Sequence, residues 1–398
     1  MNKFAKERQT MVFSTKLNQL PKQFFASLVA KVNKKIATGA DVINLGQGNP
    51  DQATPTFIVE ATKQALDDPM THKYSQFRGN HEYKQAAADF YYQQYGVTVD
   101  SETEIAVMGG SKIGLVELPL ALLNPGETIV LPDPGYPDYL SGIALADVKS
   151  ELIPLRPEKG YLPDYSEWSP ELKAAAKLLY LNYPNNPTGA QATPEFFDET
   201  VQFAKENDLI VVHDFAYGAL GNGQTAPASF LQAKGAKEVG VELYTLSKTY
   251  NMAGWRIAFA VGNPEVIEAI NLIQDHLFVG IFPALQAAGI AALTSGQEPL
   301  QKIAAQYASR RQAFVTAAAK IGWQAYPSDG AFYCWMPVPK GHTSESFSDL
   351  LLDEVAVAVA PGVGFGEQGE GFVRVGLTIG EARLVEAVER IGTLHLFE

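Results

Sequence analysis

The stretch TLSKTYNMAGWR, residues 245–256, sets a lysine after a β-branched run, then a loop, then an arginine eight residues later. A solvated lysine needs no such setting, so the rest of the chain has to supply a reason for Lys248. VELYTLS (241–247) and RIAFAV (256–261) read as strands, as do EIAVM (104–108), TIVLP (128–132), KLLYLNYP (177–184) and LIVVHD (209–214) upstream. Helical patterns lie between them. GGSK (109–112) is a tight turn that opens the helix IGLVELPLALL. In TPEFFDETVQFAKEND (193–208), Thr193 can cap a helix, Pro194 suits its first position, and apolar residues recur at helical spacing. Short apolar runs alternating with helices predict an α/β fold with a mostly parallel sheet.

After GNPE (262–265) the pattern is helical to about residue 292, and again from about 297 to 321. The C-terminal part changes character. AFYCWMPV, VAVAVAP and GFVRVGLT read as strands with helices between and after them, which predicts a smaller α+β domain. A helix near 22–38 has no sheet of its own and is expected to pack on that domain. A chain of 398 residues exceeds what one core usually supports. The expected division is an N-terminal arm (1–45), a large domain (46–290) and a small domain (291–398).

Hydrophobic content of 46% with 19% charged residues is that of a soluble globular protein. The formal net charge of −13 argues against nucleic acid and anionic membranes as partners, and leaves any bound anion to a few placed cations or amides. The single cysteine, Cys334, lies in an apolar run as an inert thiol and fits a reducing, cytoplasmic compartment. No run approaches the length of a membrane span, and MNKFAKERQTMVF lacks the apolar core of a signal peptide. The six histidines show no metal-ligand spacing, so no metal is expected.

In open α/β sheets, polar groups at the carboxyl ends of strands gather in one crevice. Five sets fall there. GGSK can aim amides at a phosphate, helped by the dipole of the helix it opens. PDPGYP (132–137) presents Tyr136 on a rigid loop, and NYPNNPTG (182–189) displays amides directly after a strand. HDFAYG (213–218) ends a buried strand in Asp214, costly unless a cation meets it, with Tyr217 three residues on. Lys248 is the fifth. One chemistry uses all of them: an amine for a Schiff base, a carboxylate for a pyridinium nitrogen, donors for a ring oxygen, an aromatic face, and amides with an arginine for a phosphate. That is a pyridoxal 5'-phosphate site.

From INLGQGNPD (43–51) through YPNNPTG, HDFAY and SKTYNMAGWR to FVRVGL (372–377), the chain resembles the fold type I, class I/II aminotransferases over nearly its whole length. LPKQFFASLVAKVN, YTLSKTYNMAGWR and QDHLFVGIF are most similar to the bacterial branch acting on methionine and aromatic amino acids, including Bacillus-type enzymes of methionine salvage. The resemblance implies that Lys248 forms the Schiff base and shuttles the substrate proton, and that Asp214 pairs with the pyridinium nitrogen. It implies that Asn186 and Tyr217 bind the ring oxygen and that Tyr136 stacks on the ring. Gly110, Ser111, Lys112, Thr245 and Arg256 would hold the phosphate, with Tyr74 reaching it from the partner subunit of a homodimer. Arg374 would clamp the substrate α-carboxylate, helped by Gly48 and Asn186. Two places depart from the branch: Gly280, where a serine is common, and Ser328–Trp335, which lacks the Gly-Ser-Phe wording.

The implied activity is transfer of an amino group between a methionine-, phenylalanine- or tyrosine-class amino acid and a 2-oxo acid by a ping-pong mechanism. A carbon–sulfur β-lyase or an aspartate-type aminotransferase on the same fold is the alternative. No arginine lies between 257 and 309, the region from which dicarboxylate-specific relatives supply a second clamp, which favours an apolar side chain. The Gly-rich run AVAVAPGVGFGEQGEG (356–371) imitates a dinucleotide fingerprint, but a strand follows it where a helix should open. Only about 40 residues precede DVINLGQG, too few for the DNA-binding module of a regulator built on this fold, and a silent binder would be expected to lose Lys248 or Asp214.

Overall fold

A computed structural model describes residues 13–21, 23–277 and 280–397. Most of the expected arm is among them, but its first twelve residues lie outside. A seven-stranded sheet is built from β2 (Ile105–Met108), β3 (Thr128–Asp133), β4 (Lys149–Pro154), β5 (Ala176–Leu181), β6 (Ile210–Asp214), β7 (Gly240–Thr245) and β8 (Ala258–Gly262). A short β1 (Ile43–Asn44) precedes them. The order is β2-β8-β7-β6-β5-β3-β4, and β8 alone runs against its neighbours. The strands from β5 to β8 are buried nearly throughout, as sheets covered on both faces require. At the β4 edge the run KSEL is three-quarters polar and exposed, which blunts that edge against pairing.

Strand alternation sorts the core. Ala106, Met108, Ile129, Leu131 and Val241 face a cluster shared with Leu115, Leu118 and Ile270 of the helices Ser111–Leu122 and Pro264–Leu277. Ile105, Val107, Val130, Leu179 and Phe259 face the other way, onto Tyr83 and Tyr91 of His81–Tyr95 and Phe197 of Pro194–Asn207. Thr193 caps that last helix by accepting from the Phe196 amide.

A second sheet, antiparallel, has the order β11-β12-β9 from β9 (Tyr333–Pro337), β11 (Ala360–Pro361) and β12 (Phe372–Gly376). The run VAVAVAP thus holds two short strands, because β10 (Val357–Ala358) pairs with β1 while β11 pairs with β12. Helices Glu298–Lys320, Ser344–Val355 and Glu381–Gly392 cover this sheet through Phe314, Phe347, Leu351, Leu384 and Val388. The helix Phe24–Ile36 packs where the sequence places it, with Val32 against Leu352 and Ala358, and Lys31 paired to Asp349 at 2.6 Å.

The helical pattern from 264 to 292 is not one helix. It breaks into Pro264–Leu277 and Pro283–Leu293, the second opened by Pro283, which has no amide to continue the first. Gly280, in the break, has φ +114°, and a Cβ there would stand 2.6 Å from Ser75 Oγ and 2.8 Å from the Gln76 carbonyl. A serine at 280 would be strained by its backbone and by that loop together.

Among the described residues no helix is long and apolar enough to cross a membrane. Segment 45–51 is fixed from the C-terminal side of the chain. The Gly376 amide donates to Leu45 O at 2.6 Å, and buried Arg310 forks onto Asp51 at 2.7 and 2.8 Å while also reaching Leu377 O. In Asp51→Ala, Arg310 keeps its burial and loses its counter-charge, at a cost of about 3 kcal/mol. We expect the urea midpoint to fall accordingly, and an unchanged midpoint would show the pair to be energetically neutral.

Candidate active site

The carboxyl ends of β2, β3, β5, β6 and β7 open on one side of the sheet, into a cavity of about 350 Å³. Because β8 is antiparallel and Ala258 lies opposite Thr245, the chain leaving Lys248 returns to the same rim, and Arg256 enters there. The cavity is lined by Gly48, Ser111, Lys112, Tyr136, Asn186, Asp214, Tyr217, Thr245, Lys248, Arg256 and Arg374. Of the residues expected from sequence, Gly110 stands just behind this lining. Tyr74 is 89% exposed and lies outside the cavity of its own chain.

Lys248 does not end a strand, as the sequence suggested. Strand β7 stops at Thr245, whose hydroxyl caps a one-turn helix, Leu246–Thr249, that carries the lysine. Its Nζ donates to Gly48 O at 2.8 Å and lies 5.6 Å from the Phe332 ring centre. Burial, then the Arg374 and Arg256 charges, depress its pKa to about 8.

Asp214 ends β6. One carboxylate oxygen accepts from the Tyr139 hydroxyl at 3.0 Å, and its backbone carbonyl accepts from Asn182 Nδ2 at 2.7 Å. The other oxygen, Oδ1, is buried without a partner, and desolvation raises the group's pKa to about 6. An ionised carboxylate with one free oxygen facing a cavity is a receptor for a cationic N–H.

Around it stand the remaining donors. Asn186, held by the Asn182 side chain through its own amide, accepts from Arg374 Nη1 at 2.8 Å. Arg374 is 1% exposed, donates to Gly46 O at 3.0 Å, and is boxed by Tyr333, Phe365 and Phe25 with ring centres 4.2, 4.7 and 5.2 Å from Cζ. At the opposite end, Ser111 opens a twelve-residue helix beside Thr245, Ser247 and Arg256, which makes an anion cradle. Arg256 has φ +55°, a strained setting for a side chain, and Gly110 makes room for it: a Cβ at 110 would stand 2.2 Å from Nη2.

Lys112 lines the same cavity and has a second partner there. Its ammonium pairs with Asp138 at 2.5 Å, and the Tyr136 hydroxyl donates to the same carboxylate oxygen at 2.6 Å. It therefore helps to fix Tyr136 through Asp138. Sequence reasoning missed Asn182, Ser247, Tyr139, Phe25 and Tyr333. Asn182 and Ser247 sit inside quoted motifs, whereas Tyr139 and Tyr333 carry no local signal. Among the described residues no group of three His, Cys, Asp or Glu side chains stands where it could hold a metal ion.

The sequence matches the family model of class I and II aminotransferases over residues 40–391, and the chain belongs to that family. It is 61% identical over 381 residues to the L-glutamine–4-(methylsulfanyl)-2-oxobutanoate aminotransferase of Bacillus subtilis, covering 96% of both chains. It is 47% identical to transaminase BacF of the same organism, again over 96% of each. A substrate-bound BacF structure superposes with a TM-score of 0.94 at 45% identity, covering 97% of this chain and 98% of that one. The protein is a pyridoxal-phosphate-dependent aminotransferase with an α/β fold of type I.

The depressed pKa makes Lys248 a neutral amine where ordinary lysines, near 10.4, are still charged. Trinitrobenzenesulfonate consumes only neutral amines. In the cofactor-free chain, its reaction at Lys248, followed by peptide mapping, should rise with pH through a midpoint near about 8. A midpoint at that of the surface lysines would contradict the site's electrostatics.

Proposed function

We propose that this cavity transfers an amino group between a methionine- or aromatic-class L-amino acid and a 2-oxo acid, with glutamine among the donors. The observation that carries the reading is the unpartnered Asp214 oxygen, set between an anion cradle and a boxed arginine with an amine of depressed pKa beside it. That donor set fits pyridoxal 5'-phosphate from end to end. When bound, the cofactor supplies an aldehyde for amines and a pyridinium that draws electrons from the substrate α-carbon.

This chain's residues do the rest. Ser111, Thr245, Ser247 and Arg256 hold the phosphate, with Gly110 giving the arginine its room. Asp214 accepts from the ring nitrogen, Tyr217 and Asn186 address the ring oxygen, and Tyr136, steadied by Asp138 and Lys112, covers the ring. Lys248 holds the cofactor and then moves the α-proton, with the Gly48 carbonyl orienting its nitrogen. Arg374 binds the α-carboxylate. Donor and acceptor share that carboxylate and that arginine, so they take turns in one cavity, which is the condition for ping-pong kinetics.

The substrate class rests on what is left to meet a side chain. Phe25, Leu115, Ala216 and Ala253 line the cavity, Lys112 is engaged by Asp138, and no arginine occurs between 257 and 309. The thioether oxo acid in the name of the 61% identical relative agrees with this surface. We expect methionine or phenylalanine to exceed aspartate by about 10-fold or more in kcat/KM, the scale of desolvating an unpaired carboxylate. Arg374→Lys should lose about 100-fold with every donor alike, because the bidentate fork is gone. Steady-state assays over the panel decide it, and aspartate as best donor would sink the apolar reading.

The chain works as a homodimer in this reading. Met70, Tyr74, Phe77, Leu277 and Phe282 are all exposed, and Gly280 packs on the 75–77 loop, which gathers them at one edge. Tyr74 at that edge would serve the partner's phosphate site. Mixing Tyr74→Phe with Lys248→Ala chains should then give hybrids with one intact site and activity above the average of the unmixed variants. Activity that merely averages would remove the shared site. The separate cores of the two sheets support a large and a small domain. Ala292 and Leu293 of the helix Pro283–Leu293 pack in the first core, however, which favours a boundary beyond residue 293 over one at 290. The one buried thiol supports a cytoplasmic location.

A further inference from the structure

We propose that Tyr333 is a positioning residue that directs the proton of Tyr217 into the cavity and joins that phenol to the carboxylate clamp at Arg374. The inference rests on the cofactor reading above.

Strand pairing sets Tyr333 on β9 opposite Gly376, two residues beyond Arg374 on β12. Its ring lies 4.2 Å from the Arg374 Cζ, and its hydroxyl is 2.9 Å from that of Tyr217. Both tyrosines line the cavity and are buried. The hydroxyl sits directly over Gly48, where a Cβ would stand only 2.3 Å from it, so the small residue and the phenol are matched.

Two phenols carry two hydrogens, and one is consumed by the bond between them. Among the described residues no third group bonds either hydroxyl. One hydrogen is therefore left for the cavity, and the direction of the pair decides which phenol offers it. The guanidinium stacked on Tyr333 draws electron density from that ring, which makes its oxygen the poorer acceptor and its O–H the better donor. Tyr333 then donates to Tyr217, and Tyr217 keeps its own hydrogen for the ring oxygen. Accepting one hydrogen bond strengthens the one it donates.

The experiment compares holoenzymes of the wild type, Tyr333→Phe, Tyr217→Phe and the double variant. A donor on the ring oxygen favours the bound cofactor's form with fewer protons, so weakening it moves the pH midpoint of the visible band upward. For Tyr333→Phe we expect an upward shift of about half a pH unit or more. KM for the amino acid should stay within about twofold, since the ring over Arg374 remains, while kcat falls about 3- to 10-fold. Tyr217→Phe should shift further in the same direction, and the double variant should add nothing to it. A wild-type chain with no titrating band overturns the cofactor reading and the proposal with it. A titrating wild type on which Tyr333→Phe superposes, or additive shifts in the double variant, overturns the proposal alone.

Discussion

A carboxylate oxygen without a partner inside the fold is the constraint that the rest of this molecule answers to. Asp214 Oδ1 is buried in a central strand's end, where an uncompensated charge costs several kcal/mol. Tyr139 and Asn182 occupy the other oxygen and the backbone carbonyl, so the free oxygen has one direction left. The sheet order puts β5 on one side of it and β7 on the other. The loop after β5 and the one-turn helix after β7 deliver Asn186 and Lys248 to the same opening. Stability is given up at one atom, and a cationic N–H bound there would recover it.

The cavity has two ends of different construction. The Asp214 end is made by strand termini of a sheet buried on both faces, where a one-residue slip would turn apolar side chains into solvent. The Arg374 end is made by β9, β12 and the helix Phe24–Ile36, and aromatic rings pack its guanidinium in place. The first end leaves little freedom for variation without loss of the sheet. The second is built from side chains, Phe25 among them, that line the cavity and also hold Arg374, so a change there alters the cavity wall and the clamp together.

Much of this was legible in the chain. Continuous apolar runs closed by Asp214, by NYPNNPTG and by the Lys248 segment announce parallel strands with chemistry at their ends, since a buried strand has no other reason to finish in a polar group. What stayed hidden depends on packing across long sequence separations. The one-turn helix under Lys248 is shorter than any period can reveal. The break before Pro283 is marked by that proline, but apolar residues on both sides masked it. The pairing of Lys112 with Asp138 carried no sequence signal, because the two are 26 residues apart. Tyr333 read as one more aromatic in a strand, since alternation tells two faces apart without saying which of them borders a cavity.

The short turn at Gly46–Gly48 touches both working groups. One carbonyl of this turn accepts from Arg374 and another, two residues on, accepts from Lys248. The same stretch is pinned to the C-terminal part of the chain through Leu45 and Asp51. The clamp and the amine therefore take their positions from peptide groups two residues apart, and a change in the path of this one short segment would misplace both together.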